Sequence, residues 1–256
     1  MGGLQGRNFI ITGGASGIGL ATAHLLRQEG ANLVLWDVAE AKLQAAGEEL
    51  EAVTAVVNIT QPDQVKAAMQ TAAAQMGSLD GVVHSAGILR SGNFTEMSLD
   101  VQRQVVDVNL NGSIVVGFTA VPYLQQSKGS LIFLASSSAF YGPPELAAYG
   151  ASKAGVLSLA QSLRLELEDS GIHVGVLCPL FVSSPMINDF KDSGMYNGLG
   201  TAHTPEEVAQ AIIKGIQKRK FMIWPGATPA LFYAIGHLFF PLSHRVMKFL
   251  WQRGKR

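Results

Sequence analysis

The chain has 256 residues, of which 48% are hydrophobic and 15% are charged, and its formal net charge is zero. This length suits one large α/β domain or two small ones, and the composition argues against a disordered chain or a globally basic nucleic-acid binder. The charge is unevenly placed. Residues 1–207 carry ten basic and nineteen acidic side chains (−9), whereas residues 208–256 carry nine basic and no acidic ones (+9).

Cys178 is the only cysteine, so an internal disulfide and a disulfide-stapled secreted scaffold are excluded. The N-terminal residues Met-Gly-Gly-Leu-Gln-Gly-Arg lack the pattern of a signal peptide and lead directly into an apolar strand. We therefore expect a cytoplasmic protein. His, Cys and Asp do not recur at metal-ligand spacing, so we predict no metal site.

Short apolar runs alternate with helix-period segments through the first 180 residues. Strands are predicted at 9–11, 32–36, 53–57, 81–84, 130–134 and 172–178. Helices are predicted at 17–29, 39–51, 61–76, 98–108, 109–127 and 149–169. The strands are rich in Val, Ile and Leu without polar alternation, which is typical of parallel strands covered by helices on both faces.

The absence of a linker or an internal repeat predicts one α/β domain over residues 1–256, with a doubly wound parallel sheet in three layers. A Ser-, Gly- and Met-rich stretch at 183–204 predicts a mobile loop. After residue 221 the alternation stops, and an apolar-basic helical extension is expected over 225–256.

A glycine-rich turn, Thr12–Gly19, joins the first strand to the first helix. Glycines there allow a tight turn and close approach of a pyrophosphate to the free N–H groups and positive dipole end of the helix. The alternative is an ordinary tight turn. The candidate phosphate-binding residues are Gly13, Ser16, Gly17, Ile18 and Gly19.

Asp37 ends the second strand, 18 residues after Gly19. A carboxylate at this point can accept hydrogen bonds from both hydroxyls of an adenosine ribose and repels a 2′-phosphate, and neither Ser16 nor Val38 supplies a positive charge. The residue therefore predicts NAD rather than NADP. The alternative role for Asp37 is to cap the second helix.

Tyr149 and Lys153 are four residues apart and therefore share one face of a helix. A nearby ammonium stabilises a phenolate, so Lys153 is expected to lower the Tyr149 pKa and make this tyrosine a general acid/base. By itself the pair is better explained as a surface tyrosine and lysine on an amphipathic helix. The serine run 136–138 after the fifth strand, and Asn109 after another helix, favour the catalytic interpretation.

In this order the motifs resemble the short-chain dehydrogenase/reductase family over roughly residues 5–190. The resemblance implies a Rossmann-type fold, with Tyr149 as general acid/base and Lys153 holding the nicotinamide ribose. It also implies that Ser136, thirteen residues before the tyrosine, binds the substrate oxygen. Asn109 would hold a water in a proton relay behind Lys153.

The resemblance adds cofactor-binding positions, some of which depart from the family pattern. The sequence His84-Ser85-Ala86-Gly87 stands where Asn-Asn-Ala-Gly is usual, and Asn58-Ile59 stands where an Asp often accepts the adenine amino group. An amide oxygen can accept the same bond. After the sixth strand, Leu180 replaces a frequent glycine. The residues expected to contact the cofactor are Asn58, Ile59, Ser85, Ala86, Gly87, Tyr149, Lys153, Pro179, Val182 and Ser184.

The loop at 183–204 would cover the substrate, and its apolar side chains suggest a steroid, a lipid-like molecule or an aromatic alcohol. Alternatively, these side chains only pack on the domain. The residues expected to border the pocket besides the loop are Leu89, Phe94, Phe140, Tyr141 and Leu146.

The basic segment 242–252 has an apolar side, and it could join a dimer or tetramer interface, cover the substrate, or lie on an anionic membrane as a peripheral contact. The preferred function is an NAD-dependent oxidoreductase for a secondary alcohol or ketone, without a nucleic-acid partner. The alternatives are an NADH-dependent carbonyl or 3-oxoacyl reductase and a non-catalytic NAD(H)-sensing protein.

Overall fold

The computed structural model describes residues 3–183 and 203–230. They form a seven-stranded sheet of order β3-β2-β1-β4-β5-β6-β7 in which every neighbouring pair is parallel. The strands are β1 (Asn8–Thr12), β2 (Asn32–Asp37), β3 (Val53–Val56), β4 (Gly81–His84), β5 (Ser130–Leu134), β6 (His173–Leu177) and β7 (Met222–Ile223). The predicted doubly wound α/β fold is confirmed.

Helices cover both faces of the sheet and make the three predicted layers. They are α1 (Gly17–Gln28), α2 (Glu40–Leu50), α3 (Pro62–Met76), α4 (Leu99–Val106), α5 (Gly112–Ser127), α6 (Ala147–Glu166) and α7 (Pro205–Gln217). One buried cluster joins the sheet to α3, α5 and α6, and includes Met69, Val116 and Val156. A second cluster joins the opposite face to α1, α2 and α7. Strands β1, β2, β4, β5 and β6 are almost entirely buried, which explains their continuous apolar sequences.

The prediction of two separate helices meeting at residue 109 is wrong. Leu99–Ser127 is one continuous helix, in which Asp107–Asn111 forms a π-helical turn. No proline or glycine interrupts the chain between α4 and the π turn, and the wider turn takes up one extra residue without ending the helix. The turn lies at the residue expected to be catalytic, Asn109.

The alternation of helices and strands passes residue 221 by only two residues, but the sequence analysis predicted neither of its last two elements. Helix α7 begins with Thr204 as N-cap, and the side chains of Thr204 and Glu207 bond reciprocally to each other's backbone as a capping box. The chain then adds β7, whose residues Met222 and Ile223 pair with Val176 and Leu177. The loop at 184–202 and the tail from residue 231, including the amphipathic segment 242–252, lie outside the described residues.

Candidate active site

The carboxyl ends of the central strands bring the predicted site residues to one edge of the sheet. Strand order reverses between β1 and β4, since the chain runs outwards to β3 on one side and to β7 on the other. In open α/β sheets a crevice forms at such a reversal, and ligands bind there. The glycine-rich turn follows β1, Ser85–Gly87 follows β4, and Ser136 follows β5.

The turn after β1 has the shape of a phosphate cradle. Gly13 has a φ of +69°, and a Cβ at this position would lie 2.8 Å from the backbone nitrogen of Ala86. A Cβ on Gly19 would overlap the carbonyl oxygen of Gly13. Ser16, the N-cap of α1, makes no side-chain cap bond, so the first N–H groups of the helix remain available to a ligand. The residues present therefore fit a pyrophosphate.

The Asp37 carboxylate is fixed by two backbone N–H groups, neither of which lies inside α2, and its contact with a ribose stays a prediction. Its Oδ2 accepts a hydrogen bond from the backbone N–H of Ala15 at 3.1 Å, and its Oδ1 accepts one from Ala39 at 3.0 Å, at the start of α2. Each oxygen keeps a lone pair for a ribose hydroxyl. The bond to Ala15 also ties the carboxylate to the phosphate cradle.

Asn58 lies at the carboxyl end of β3, as expected, but its oxygen is already used. Both the backbone N–H and the hydroxyl of Thr60 donate to Asn58 Oδ1, at 3.0 and 2.8 Å. The expected acceptance of an adenine amino group by this oxygen is therefore not supported. The next residue, Ile59, is buried against Gly112 of α5.

Thr12 organises the loop after β4, a role that the sequence analysis did not assign to it. Its hydroxyl accepts a hydrogen bond from Ala86 N–H at 3.1 Å and lies 2.8 Å from His84 Nδ1, while its carbonyl accepts a bond from Ser85 N–H. His84 is a buried core histidine, as predicted. Burial, followed by the charge of Lys153, lowers the pKa of His84 to about 3. Its Nε2 has no partner among the described residues, so this histidine is only half satisfied.

Tyr149, Ser136 and Lys153 form one buried group. The Ser136 side chain is near enough to Tyr149 to lower the pKa of the phenol, and the Lys153 ammonium lies 5.8 Å from the centre of the tyrosine ring. The ammonium also donates to the carbonyl oxygen of Leu134 at 2.8 Å. All three site side chains are buried, which excludes the alternative of a surface tyrosine and lysine.

The pKa values of this group differ from the sequence expectation. Burial raises the pKa of Tyr149 to about 12, and the neighbouring Ser136 side chain opposes this only in part. Burial likewise lowers the pKa of Lys153 to about 8, with a smaller opposite effect from Cys178. In this geometry burial, rather than the lysine, dominates the titration of the phenol. The Lys153 ammonium is directed to the Leu134 carbonyl.

Asn109 connects the π turn to the catalytic helix and to the loop after β4. Its Oδ1 accepts from Ile88 N–H at 2.8 Å, and its Nδ2 donates to Ile88 O and to Ser152 Oγ at 2.9 and 3.1 Å. Ser152 in turn donates to the carbonyl of Tyr149 at 2.7 Å. The sequence analysis missed Ser152, although it lies next to Lys153 in the motif. A Cβ on Gly87 would lie 3.0 Å from Asn109 Oδ1, so Gly87 packs directly against the Asn109 amide.

An apolar wall lies beside the tyrosine. Leu89, Val105, Leu146 and Tyr149 form a buried cluster, with Ile88, Tyr141, Ala148 and Phe181 packed against it. By contrast, Phe94 is exposed, and Phe140 packs against Trp224.

The segment after β6 lies at the same edge of the sheet. Pro179 accepts a hydrogen bond from Ser137 N–H, and Val182 pairs with His203, whereas Ser184 lies outside the described residues. The Cys178 thiol is buried, as predicted, and burial raises its pKa to about 12. In the described part of the chain, no group of His, Cys, Asp and Glu residues could hold a metal ion.

The geometry defines the class as a doubly wound α/β protein with a crevice at the switch point of its sheet, and the comparisons give the family. A family model described as short chain dehydrogenase matches residues 7–193, so the chain belongs to that family. The chain is 34% identical over 221 residues to 3-oxoacyl-[acyl-carrier-protein] reductase FabG of Thermotoga maritima, with coverage of 82% of this chain and 90% of the relative.

Two further comparisons agree with this assignment. The chain is 34% identical over 215 residues to cyclohexanol dehydrogenase of an Acinetobacter species, with coverage of 79% of this chain and 84% of the relative. Its fold matches a crystal structure of a short chain dehydrogenase/reductase from Burkholderia phymatum in complex with NAD. The TM-score is 0.86 at 23% identity, and the match covers 95% of this chain and 97% of that one.

Proposed function

We propose that this protein is an NAD-dependent oxidoreductase that interconverts an apolar secondary alcohol and its ketone. The observation that carries the proposal is the group of Ser136, Tyr149 and Lys153, buried together beside the switch-point crevice. NAD would supply the hydride acceptor or donor at its nicotinamide C4. Gly13 and Gly19 would hold the pyrophosphate because they allow close backbone approach, and Asp37 would hold the adenosine ribose through the lone pairs that its two backbone hydrogen bonds leave.

Four side chains of the protein would have separate roles in proton transfer to and from the substrate oxygen. Tyr149 would donate a proton to the substrate oxygen in reduction and take it in oxidation, while Ser136 orients that oxygen. Lys153, buried behind the ring and bonded to Leu134, would hold the nicotinamide ribose and supply positive charge. Asn109 fixes the loop at Ile88 and the helix at Ser152, and would also hold the water of a proton relay.

The preference for NAD over NADP rests on Asp37. Its carboxylate is held by two backbone N–H groups, so it cannot easily turn away from a 2′-phosphate. Two like charges at hydrogen-bond distance disfavour binding strongly. Initial rates with NAD⁺ and NADP⁺ measure this preference, and equal rates with both would contradict the role given to Asp37.

The apolar wall beside Tyr149 supports a substrate with a hydrophobic ring or chain next to the reacting carbon. Leu89, Leu146 and Phe181 offer no charge or hydrogen bond to a strongly polar substrate. One of the relatives is named cyclohexanol dehydrogenase, and cyclohexanol is a secondary alcohol with a hydrophobic ring. A screen of alcohols with NAD⁺, from short aliphatic alcohols to hydroxysteroids, followed by NADH absorbance, would identify the class.

A second candidate is an NADH-dependent reductase of ketones or 3-oxoacyl groups. It is favoured by the raised Tyr149 pKa of about 12, because a phenol that keeps its proton at neutral pH is already the acid that carbonyl reduction needs. The 3-oxoacyl reductase of T. maritima is among the relatives.

Tyr149→Phe distinguishes either enzyme from a non-catalytic NAD(H)-sensing protein. The variant should bind NADH with nearly unchanged affinity in a fluorescence titration, while turnover falls by at least a thousandfold, because the acid/base group is lost. Ser162→Ala, at an exposed position of the same helix, should change neither quantity. A biological activity that survives Tyr149→Phe would show that the protein does not act as a dehydrogenase.

We also propose that the chain forms a homodimer or homotetramer through α5 and α6. Phe118 and Leu165 are 83% and 72% exposed, and Ile114 lies exposed one turn before Phe118. Large apolar side chains exposed together mark contact surfaces, and a two-fold axis would bury the same face of two copies.

A cytoplasmic location and peripheral membrane contact through residues 229–256 remain hypotheses. The hypothesis of membrane contact predicts that the full chain binds anionic vesicles at low salt and that deletion of this segment abolishes the binding.

A further inference from the structure

Glu145 lies beside the apolar wall of the candidate active site, on the turn that leads into α6. Its neighbour Leu146 belongs to the buried cluster that contains Tyr149. The carbonyl oxygen of Glu145 accepts a hydrogen bond from Gly92 N–H at 2.9 Å, so the residue lies where the loop after β4 crosses the start of the catalytic helix. The rim of the crevice beside Tyr149 therefore includes a carboxylate.

The backbone at Glu145 has a conformation that residues other than glycine rarely adopt. Its φ is +67°, in the left-handed region. Leu146 N–H donates to Pro143 O at 3.3 Å and closes a tight turn with Glu145 in the third position, where a positive φ favours Gly or Asn. Such a conformation costs stability, and residues that keep it cluster at functional sites. The turn by itself gives no reason for a glutamate at this position.

The Glu145 side chain also costs stability, because one of its carboxylate oxygens is buried without a partner. In the described part of the chain, Oε2 accepts no hydrogen bond, either from the free N–H groups at the start of α6 or from any other donor. Glu51 has a positive φ as well, +47°, but its carboxylate pairs with Arg27 at 2.6 Å. Buried acceptors in native proteins are almost always bonded, so the Glu145 oxygen is expected to meet a donor from outside the chain.

We propose that Glu145 is a specificity-determining residue that accepts a hydrogen bond from a second polar group of the substrate, a hydroxyl or an ammonium. This inference rests on the proposed function and narrows its substrate to an apolar alcohol with one hydrogen-bond donor away from the reacting carbon. Leu89 and Leu146 would contact the hydrocarbon part, while Tyr149 and Ser136 bind the oxygen that reacts. A substrate that lacks the donor would leave the buried carboxylate unpaired, which is the basis of strong discrimination.

Substituted cyclohexanols of nearly equal size measure this preference. Cyclohexanediol and aminocyclohexanol carry a donor, and methylcyclohexanol carries a methyl group in its place, with the second group two or three bonds around the ring from the alcohol carbon. Initial rates of NAD⁺ reduction give kcat/KM for each alcohol, and the ratio of a donor compound to its methyl counterpart isolates the second group. In the wild-type protein at least one such ratio should be about ten or more. Comparison of the diol with the amine distinguishes a hydroxyl from an ammonium.

Two variants remove the acceptor in different ways. Glu145→Gln removes the charge and keeps the shape, and it should lower a preference for the amine by about tenfold. Glu145→Gly removes the side chain and should bring every donor-to-methyl ratio to within about threefold of one. Because glycine adopts a positive φ without strain, Glu145→Gly should also raise the melting temperature by about 2–4 °C. Glu51→Gly relaxes the same backbone conformation at the end of α2, away from the site, and should leave the ratios unchanged.

Two results would overturn the specificity role of Glu145. One is a set of ratios that is the same in the wild-type protein and in both Glu145 variants. The other is a Glu145→Gly protein that melts at a lower temperature than wild type, because the carboxylate would then have a stabilising partner within the chain. In both cases the alcohols are still oxidised, and the proposed function stands. If the wild-type protein oxidises none of these alcohols and reduces none of the corresponding ketones, the proposed function is wrong and the specificity role falls with it.

Discussion

Because the charge of Lys153 is buried, we expect the variant Lys153→Met, which lacks this charge, to become more stable relative to the wild-type protein as the pH falls. Burial lowers the pKa of Lys153 from 10.5 to about 8. A shift of this size corresponds to about 3 kcal/mol of unfavourable free energy for the charged form in the folded state. Lys153→Met removes the charge and keeps an unbranched apolar side chain, although the hydrogen bond to Leu134 is lost, at a cost of about 1–3 kcal/mol.

The pH dependence separates these two effects. Below about pH 8 the lysine is charged in both the folded and the unfolded chain, so the full penalty is present. Between about pH 8 and 10.5 the folded lysine is neutral while the unfolded one is still charged, and the penalty fades as pH rises. The free energy of unfolding of Lys153→Met relative to wild type should therefore decrease by about 2 kcal/mol between roughly pH 7 and 9.5.

Urea unfolding followed by tryptophan fluorescence, at one protein concentration and several pH values, measures this difference. Lys42→Met is the control, because Lys42 is exposed on α2 and its charge is solvated in both states. The free energy of unfolding of Lys42→Met relative to wild type should show no comparable change with pH. If the difference between Lys153→Met and wild type stays constant over this range, the buried charge does not cost stability and the reasoning is refuted.

The phosphate cradle, the exposed helix face and the titration of the phenol each allow a further test. Gly19→Ala should weaken NADH binding at least tenfold in a fluorescence titration, because the added Cβ overlaps the Gly13 carbonyl; unchanged affinity would contradict the cradle. Phe118→Glu should lower the molar mass measured by light scattering, whereas Val53→Glu on the edge strand should not. The rate of alcohol oxidation should rise between about pH 7 and 10, because Tyr149, with its pKa raised to about 12, must lose a proton; a flat profile would contradict its role as base.

The sequence predicted the central part of the fold because its strands are buried on both faces. Strands such as Phe9–Ile11 and Leu131–Leu134 carry no polar residue that would suggest a loop. Strand β7 has only two residues and gives no periodic signal. Helix α7 was missed as well, although Thr204 and Glu207 form a recognisable capping box at its start. The π turn contains Asn109, which is hydrogen-bonded to Ile88 in the loop after β4, a long-range contact that no local sequence pattern encodes.

The candidate site was predictable as a set of residues but not as a set of hydrogen bonds. Motif order alone brought Ser136, Tyr149 and Lys153 together. The direction of a side-chain amide depends on its neighbours, and Thr60 two residues after Asn58 is the one local hint that the oxygen of Asn58 would face the backbone. The pKa of a buried phenol depends on how completely the fold removes it from water, and the i,i+4 spacing of a lysine carries no information about that.

The raised Tyr149 pKa and the Asp37 carboxylate favour opposite directions of one reaction. An NAD-selective site favours oxidation in a cell with abundant NAD⁺, yet a phenol with a pKa of about 12 is almost fully protonated at pH 7 and so favours reduction. The rates of oxidation and of reduction should respond differently to pH. Oxidation should accelerate as the pH rises, whereas reduction should stay nearly constant until Lys153, with a pKa of about 8, begins to lose its charge. The pH at which alcohol oxidation reaches half of its maximal rate therefore measures how far a bound cofactor and substrate lower the pKa of the phenol below about 12.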